Sequence, residues 1–155
     1  MGVQTEPSAR ADPGPEAAPD ASTGHEAPGG PTPSLFEAAG GMPFFEALVA
    51  RFYRGVEADP VLLPLYPQPH DLRAARRRLT LFLAQYWGGP TTYSSERGHP
   101  RLRGRHLAFA IGREAREHWL ARMAEALDEM AAPPQIRARL DEYFVVAAEA
   151  MRNQE

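Results

Sequence analysis

Residues 82–106 of the chain read FLAQYWGGPTTYSSERGHPRLRGRH, and this stretch decides the fold. It begins inside an amphipathic helix, which Gly88-Gly89-Pro90 stops, and it continues as a basic segment that ends at His106. A second amphipathic helix follows and carries Trp119, thirteen residues after that histidine. A histidine on a short segment between two helices can reach a metal centre held in the gap between them.

Apolar side chains recur at three- and four-residue steps on both sides of this stretch, which is the spacing of one helix face. Ser34 caps a short predicted helix over 35–39, and Asp71 is the predicted N-cap of a helix that runs to about Trp87. Other helices are predicted over 43–58, 100–106, 112–131 and 134–153, with a proline-rich corner over 61–70 and loop over 90–98. No segment alternates like a strand, so the sequence predicts an all-α domain with four main helices.

The composition excludes several classes of function. A net charge of −3 gives no reason to expect a nucleic acid or an anionic membrane as partner. No apolar run approaches the roughly 20 residues of a membrane span, and no secretion signal is recognisable, so a cytoplasmic location is expected. The absence of cysteine excludes disulfides and thiolate metal sites, and the absence of lysine excludes Schiff-base chemistry.

Residues 1–33 differ in composition from the rest of the chain. They contain seven prolines, five glycines and five acidic residues, and Val3 is their only large aliphatic residue. Such a segment buries too little apolar surface to offset the entropy of ordering it. We therefore expect a disordered tail over 1–33 and a folded domain over 34–155.

His106 stands between two kinds of side chain. Three arginines precede it and three apolar residues follow it: Arg101, Arg103, Arg105, Leu107, Phe109 and Ile111. Basic residues beside an apolar wall suit a cofactor with anionic edges and a hydrophobic body. A single histidine is, however, more often a surface or core residue than a ligand, and arginines often form a solvated face. From the residues alone, both interpretations stay open.

Several short pieces, in their order and spacing, resemble the truncated haemoglobins of group II (the O type). They are AGG at 39–41, RFY at 51–53, LYP at 65–67, QYWGGP at 85–90, YS at 93–94, RGHPRLR at 97–103, RH at 105–106, Phe109 and WL at 119–120. The resemblance implies a shortened globin fold, with two helices packed on two around a haem. Because the chain has no cysteine, haem b would be held non-covalently, by ligation and burial.

The resemblance also implies roles for individual residues. His106 corresponds to the proximal ligand of the iron, and its second ring nitrogen is expected to donate to a carbonyl or a carboxylate. Four positions are implied on the opposite, ligand-binding face: Tyr53, Tyr66, Ala75 and Trp119. Larger globins often have a histidine where Ala75 stands, so Tyr66 and Trp119 are the implied hydrogen-bond donors to a bound ligand. Simple core packing of these aromatic side chains is the alternative.

The remaining candidate residues surround the haem. The family position implies Arg78 as a partner of the propionates, and Tyr93 and Arg105 are candidates by location. The macrocycle would be lined by apolar side chains, for which an ordinary core role is the alternative: Leu79, Phe82, Leu83, Leu102, Phe109, Ile111 and Met123.

The resemblance implies reversible binding of oxygen and other diatomic ligands. Strong donors slow ligand escape, which favours sensing, storage or redox chemistry over bulk oxygen delivery.

The alternative is a haem-dependent redox enzyme, with nitric oxide dioxygenase or peroxidase-like activity. It would need an external reductase, since no flavin or nicotinamide motif is present. A haem-free helical interaction module is a third hypothesis, which the constellation around His106 disfavours. Formation of a homo-oligomer is left open.

Overall fold

The computed structural model describes residues 32–155. The predicted disordered tail, residues 1–33, therefore lies outside the described residues except for its last two. The described part is all-helical and contains no strand. Its seven α-helices are α1 (Leu35–Ala39), α2 (Met42–Glu57), α3 (Arg73–Tyr86), α4 (Thr92–Arg97), α5 (Leu102–His106), α6 (Arg113–Met130) and α7 (Pro134–Met151).

Four long helices form the body of the domain, as predicted. Helix α2 packs against both α6 and α3, and α6 also packs against α7. The most deeply buried large side chains come mainly from α2, with further members on α3, α6 and α7: Phe45, Leu48, Val49, Phe52, Val56, Leu83, Met123, Leu127 and Leu140. Burying one such side chain stabilises the fold by roughly 1.5–3 kcal/mol. The apolar stripe of α2 therefore makes this helix the centre of the core.

The short helix α1 begins and ends as the sequence predicts. The Ser34 hydroxyl accepts a hydrogen bond from the backbone N–H of Glu37 at 3.2 Å. Gly40 has a left-handed φ of 116°, and its N–H donates to carbonyls of the last helical turn. Ser34 and Gly40 adjoin the helix in the sequence, so the sequence alone predicts where α1 begins and ends.

The prediction of loop over 90–98 is wrong, because residues Thr92–Arg97 form α4. The helix is too short to show a periodic apolar face in the sequence, and Tyr93 is its one apolar side chain. Contacts with α3 supply the stabilisation instead. The side-chain amide of Gln85 donates to the Ser94 hydroxyl at 2.7 Å and accepts from the Ser94 backbone N–H at 2.9 Å. Tyr93 is buried against the ring of Phe82, with 5.6 Å between the ring centroids.

Two helix starts also differ from prediction. Helix α3 begins at Arg73 with Leu72 as its N-cap, one residue later than expected, although Asp71 still accepts a hydrogen bond from the Arg73 backbone N–H at 3.2 Å. Helix α5 begins at Leu102, after Arg101 in a left-handed conformation with a φ of 44°. Pro100 therefore lies before this helix and does not open it.

The proline-rich corner between α2 and α3 is more ordered than expected. It contains a 3-10 turn over Leu63–Leu65. The carboxylate of Asp59, which is buried at the end of α2, accepts hydrogen bonds from the backbone N–H groups of Val61 at 2.9 Å and Leu62 at 3.1 Å. These bonds fix the path of the chain toward Tyr66.

Candidate functional site

His106 is the last residue of α5 and is half-buried. Its Nδ1 lies 2.5 Å from the backbone carbonyl oxygen of Leu102, one turn earlier in the same helix. A carbonyl can only accept, so Nδ1 carries the proton and donates to Leu102. The ring is thereby held in one orientation. This arrangement leaves Nε2 as the ring nitrogen that could bind a metal.

The two candidate distal tyrosines meet each other. Tyr53 on α2 and Tyr66 after the 3-10 turn have their rings edge to face, with centroids 5.6 Å apart, and their hydroxyls are hydrogen-bonded. Burial raises the pKa of Tyr53 to about 12, although the hydrogen bond with Tyr66 and the charge of Arg78 lower it. Burial also raises the pKa of Tyr66 well above its usual value, and Tyr53 adds to this shift. Both hydroxyls therefore keep their protons at neutral pH.

Trp119 joins the same aromatic cluster from α6. Its ring centroid lies 5.1 Å from that of Phe52 and 5.5 Å from that of Phe144. Phe52 in turn contacts Tyr53 at 5.1 Å. Within residues 32–155 the indole N–H of Trp119 forms no hydrogen bond with another residue. The fold thus brings Tyr53, Tyr66 and Trp119 into one aromatic cluster, which Phe52 connects.

Helix α3 contributes the candidates Ala75, Arg78 and Leu79, all half-buried. Ala75 and Arg78 line, together with Tyr66, a cavity of about 170 Å³. The other residues of its lining are Pro67, Gln68, Asp71, Leu72 and Ala74. Ala75 leaves this space open because its side chain is a single methyl group. Ala75, which the resemblance implies on the ligand-binding face, therefore lines the same cavity as Tyr66.

Two candidate arginines have no carboxylate partner in the described part of the chain. Arg78 is half-buried, and its charge acts on Tyr53. Arg105 donates from Nε to the carbonyl of Pro100 at 2.7 Å and from Nη2 to the carbonyl of Arg97 at 3.1 Å. Neutral carbonyls leave the guanidinium charge uncompensated. Both side chains can therefore meet an anionic group, in contrast to Arg77, which is paired with Glu96 at 2.6 Å.

The candidate wall residues differ in depth. Phe82, Leu83, Tyr93 and Met123 are buried members of the main core. Leu79 and Leu102 are partly buried and pack against that core. Phe109 and Ile111 lie in the non-helical segment between α5 and α6 and are half-buried. The wall thus spans α3, α4, α5, α6 and the segment after His106.

The sequence did not predict the polar cluster that surrounds the buried carboxylate of Asp59. The Nδ1 of His118 lies 2.9 and 3.0 Å from the two carboxylate oxygens of Asp59. Arg122 lies on the same side, with Nε 3.7 Å from this carboxylate. Asp59 is only 4% exposed, and buried aspartates are rare unless they are paired. The sequence contains only a helix-ending Asp-Pro at this position, which does not identify the partners.

Comparison with known proteins identifies the family. A model described as bacterial-like globin matches residues 34–153. Group 2 truncated hemoglobin YjbI of Bacillus subtilis (strain 168) is 40% identical over 114 residues, which are 74% of this chain and 85% of that protein. The chain belongs to the group II truncated haemoglobins.

Solved structures agree with this assignment. The thermostable hemoglobin of the actinobacterium Thermobifida fusca is 54% identical with a TM-score of 0.76, over 78% of this chain and 98% of that one. The truncated oxygen-avid haemoglobin of Bacillus subtilis is 38% identical with a TM-score of 0.73, over 78% of this chain and 100% of that one. The expected two-on-two globin fold is confirmed for this truncated haemoglobin, and membership of the family implies a haem cofactor.

Proposed function

We propose that this truncated haemoglobin binds haem b non-covalently, with His106 as the axial ligand, and binds oxygen and related diatomic ligands reversibly. The hydrogen bond from His106 Nδ1 to the Leu102 carbonyl carries the proposal, because it orients the ring and leaves Nε2 available to bind the iron. No cluster of three or more potential ligands for a metal ion occurs among residues 32–155. One histidine alone suits an iron whose other positions a macrocycle fills.

The candidate residues suit haem in chemistry and in charge. Leu102 is half-buried on the helix that carries His106, and it packs against the apolar core to which Phe82 and Met123 belong. Arg78 and Arg105 offer positive charge to the two propionates, and guanidinium groups bind carboxylates well. When bound, haem supplies an iron that can take up a diatomic ligand and can change its oxidation state.

The distal donors decide how firmly a ligand is held. Because Tyr53 and Tyr66 are bonded to each other, one of the two hydroxyl protons is used within the pair and the other can be donated to a ligand. The indole N–H of Trp119, unpaired within residues 32–155, is a second candidate donor. Donors fixed in a dry pocket stabilise a ligand that carries partial negative charge. Two such donors favour slow release, in keeping with a relative described as oxygen-avid.

A second candidate function is redox turnover at the same site, either nitric oxide dioxygenation or a peroxidase-like reaction, with an external reductase as electron donor. The observation that favours it is a set of exposed arginines on α3 and at the start of α5, without carboxylate partners in the described part of the chain: Arg76, Arg101 and Arg103. Such a surface favours docking of an acidic protein. Reduction by an acidic electron-transfer protein should then slow as ionic strength rises, and a rate independent of salt would argue against this function.

The axial ligand is tested by His106→Ala, with His70→Ala as matched control. His70 is exposed in the corner before α3. The purified proteins are compared by haem-to-protein ratio and by the absorption spectrum of the ferrous form. We expect His106→Ala to lose haem or its normal spectrum, and added imidazole to restore the spectrum in part. Full haem content with an unchanged spectrum would overturn the proposal.

A further inference from the structure

The segment that follows α7 folds back onto the segment that follows His106. The side-chain amide of Asn153 makes three hydrogen bonds there. Its Oδ1 accepts from the backbone N–H of Ile111 at 2.9 Å, and its Nδ2 donates to the carbonyls of Phe109 at 2.7 Å and His106 at 3.3 Å. One side chain thus contacts the backbone at both ends and in the middle of residues 106–111.

Two backbone bonds reinforce this contact. The N–H groups of Asn153 and Gln154 both donate to the Ile111 carbonyl, at 2.8 and 3.2 Å. The segment from Leu107 to Gly112 lies between α5 and α6 and has no regular helix to pair its backbone. Unpaired backbone groups are costly when they leave water. The bonds from Asn153 and its neighbour therefore replace those that a helix would supply.

The geometry requires a side chain that both donates and accepts. An amide does so, whereas a carboxylate only accepts and a leucine does neither. Leu107, by contrast, is 63% exposed and offers little packing to hold this part of the chain. Polar contact with Asn153, more than apolar burial, therefore fixes the backbone just after His106.

We propose that Asn153 is a positioning residue for the axial histidine, which rests on the proposed function of His106. The imidazole is held at Nδ1 by the Leu102 carbonyl, and the backbone of the same residue is held by Asn153 through the His106 carbonyl. Together the two contacts set the tilt and the depth of the ring. Asn153 lies in the segment that follows α7, so this segment supports the proximal side of the site.

The proposal predicts a defect confined to the proximal side. Partners that orient a metal ligand typically change metal affinity 10- to 100-fold when they are removed. Asn153→Leu keeps a similar size and removes all three side-chain bonds. We expect haem to leave about 10 times faster than from the parent protein, measured by transfer to excess apomyoglobin. The iron–histidine stretching band of the ferrous, ligand-free form should shift or broaden in the resonance Raman spectrum.

Two further variants separate positioning from general stability. Gln154→Ala removes an exposed side chain and keeps the backbone bond, so its Raman band and haem loss should equal those of the parent. Asn153→Gln retains the amide and should restore the band in part. An unchanged band and unchanged haem loss in Asn153→Leu would overturn the proposal. A parent protein without any iron–histidine band would instead overturn the assignment of His106.

A measurement on the parent protein covers the case in which Asn153→Leu does not fold. The Ile111 amide donates to Asn153 Oδ1, so its hydrogen exchange should be slowed at least tenfold relative to an unprotected peptide, a ratio that corresponds to about 1.4 kcal/mol. The exposed Leu107 amide, which has only a 3.4 Å turn bond to the Gly104 carbonyl, serves as internal comparison. Exchange of Ile111 as fast as that of an unprotected peptide would overturn the proposal.

Discussion

The buried carboxylate of Asp59 pairs with the half-buried His118 and ties the end of α2 to α6, with 2.9 Å between the nearer carboxylate oxygen and Nδ1. The pair is adjacent to two candidate distal residues. Trp119 follows His118 directly, and the corner that Asp59 caps leads to Tyr66. One carboxylate therefore supports both chain segments that bring hydrogen-bond donors to the site.

This pair predicts a pH-dependent stability. Burial raises the pKa of Asp59, but hydrogen bonds from His118 and from the backbone N–H groups of Leu62 and Val61 outweigh burial and hold the pKa below its ordinary value. A carboxyl with a depressed pKa in the folded state contributes stability above its unfolded pKa of about 4. That contribution disappears as the pH falls through the folded pKa.

Asp59→Asn keeps the size of the side chain and removes its charge. At pH 7 we expect it to lower the free energy of unfolding by about 1.5–3 kcal/mol, the usual effect of a hydrogen bond to a charged group. At pH 3 the difference from the parent should shrink. Urea unfolding at both values measures this, with Glu57→Gln at the exposed end of α2 as control. If Asp59→Asn and the parent are equally stable at pH 7, the Asp59–His118 pair does not contribute to the free energy of unfolding.

A second prediction concerns the double-glycine stop after α3. A Cβ at Gly89 would lie 2.7 Å from two ring carbons of Phe36 and 2.8 Å from the Ala84 carbonyl oxygen. The ring and the backbone must move, which typically costs about 1–3 kcal/mol. At Gly104 in α5, a Cβ would meet nothing within 4 Å, and alanine there is favoured by up to ~1 kcal/mol.

The comparison of Gly89→Ala with Gly104→Ala in urea unfolding tests this difference. We expect the first variant to unfold at a lower urea concentration than the parent, and the second at an equal or higher concentration. If both variants unfold at the same urea concentration, Phe36 packs less tightly against Gly89 than the distances in the structure indicate.

The contrast between α2 and α4 explains how much of the fold the sequence predicts. Helix α2 has a full apolar stripe from Phe45 to Val56 and ends before Asp59-Pro60, so local signals define it within one residue. Helix α4 has a polar sequence, and its stability comes from Gln85 on a different helix. Such a contact depends on three-dimensional proximity, which a local pattern does not contain.

The same distinction applies to the candidate site. The resemblance placed Tyr53, Tyr66 and Trp119 on one face, and the structure does bring them together. Asn153 and His118 escaped prediction because their partners lie 42 to 59 residues away in the sequence. Neither residue belongs to a short motif. The roles assigned to the candidate haem residues, His106 among them, stay predictions until haem itself is measured.

A third prediction concerns the propionates. Arg78 is half-buried and has no carboxylate partner in the described residues, whereas Arg76 on the same helix is exposed. A charge-assisted hydrogen bond contributes about 1.5–3 kcal/mol, and 1.4 kcal/mol is a tenfold change in rate. Arg78→Ala should therefore lose haem about 10 times faster to apomyoglobin. Arg76→Ala should lose haem at the parent rate, and equal rates for both variants would remove Arg78 from the propionate site.

The last prediction separates hydrogen bonding from packing in the distal cluster. Trp119→Phe keeps an aromatic ring beside Phe52 and Phe144 and removes the indole N–H. If that donor holds the ligand, oxygen should leave at least ~10 times faster, while carbon monoxide, a poorer acceptor, should respond less. Trp87→Phe is the matched control, because Trp87 is buried at the end of α3 and its Nε1 has no hydrogen-bond partner among residues 32–155.

The tyrosines require a double variant, because a tyrosine hydroxyl can donate to the ligand in place of the indole N–H that Trp119→Phe removes. Tyr66→Phe in the Trp119→Phe background leaves Tyr53 as the one distal tyrosine of the pair and breaks their mutual bond. Stopped-flow measurement of oxygen release should show the double variant faster than either single variant. If neither Trp119→Phe nor the double variant releases oxygen faster than the parent, the aromatic cluster is packing, and ligand retention has another origin.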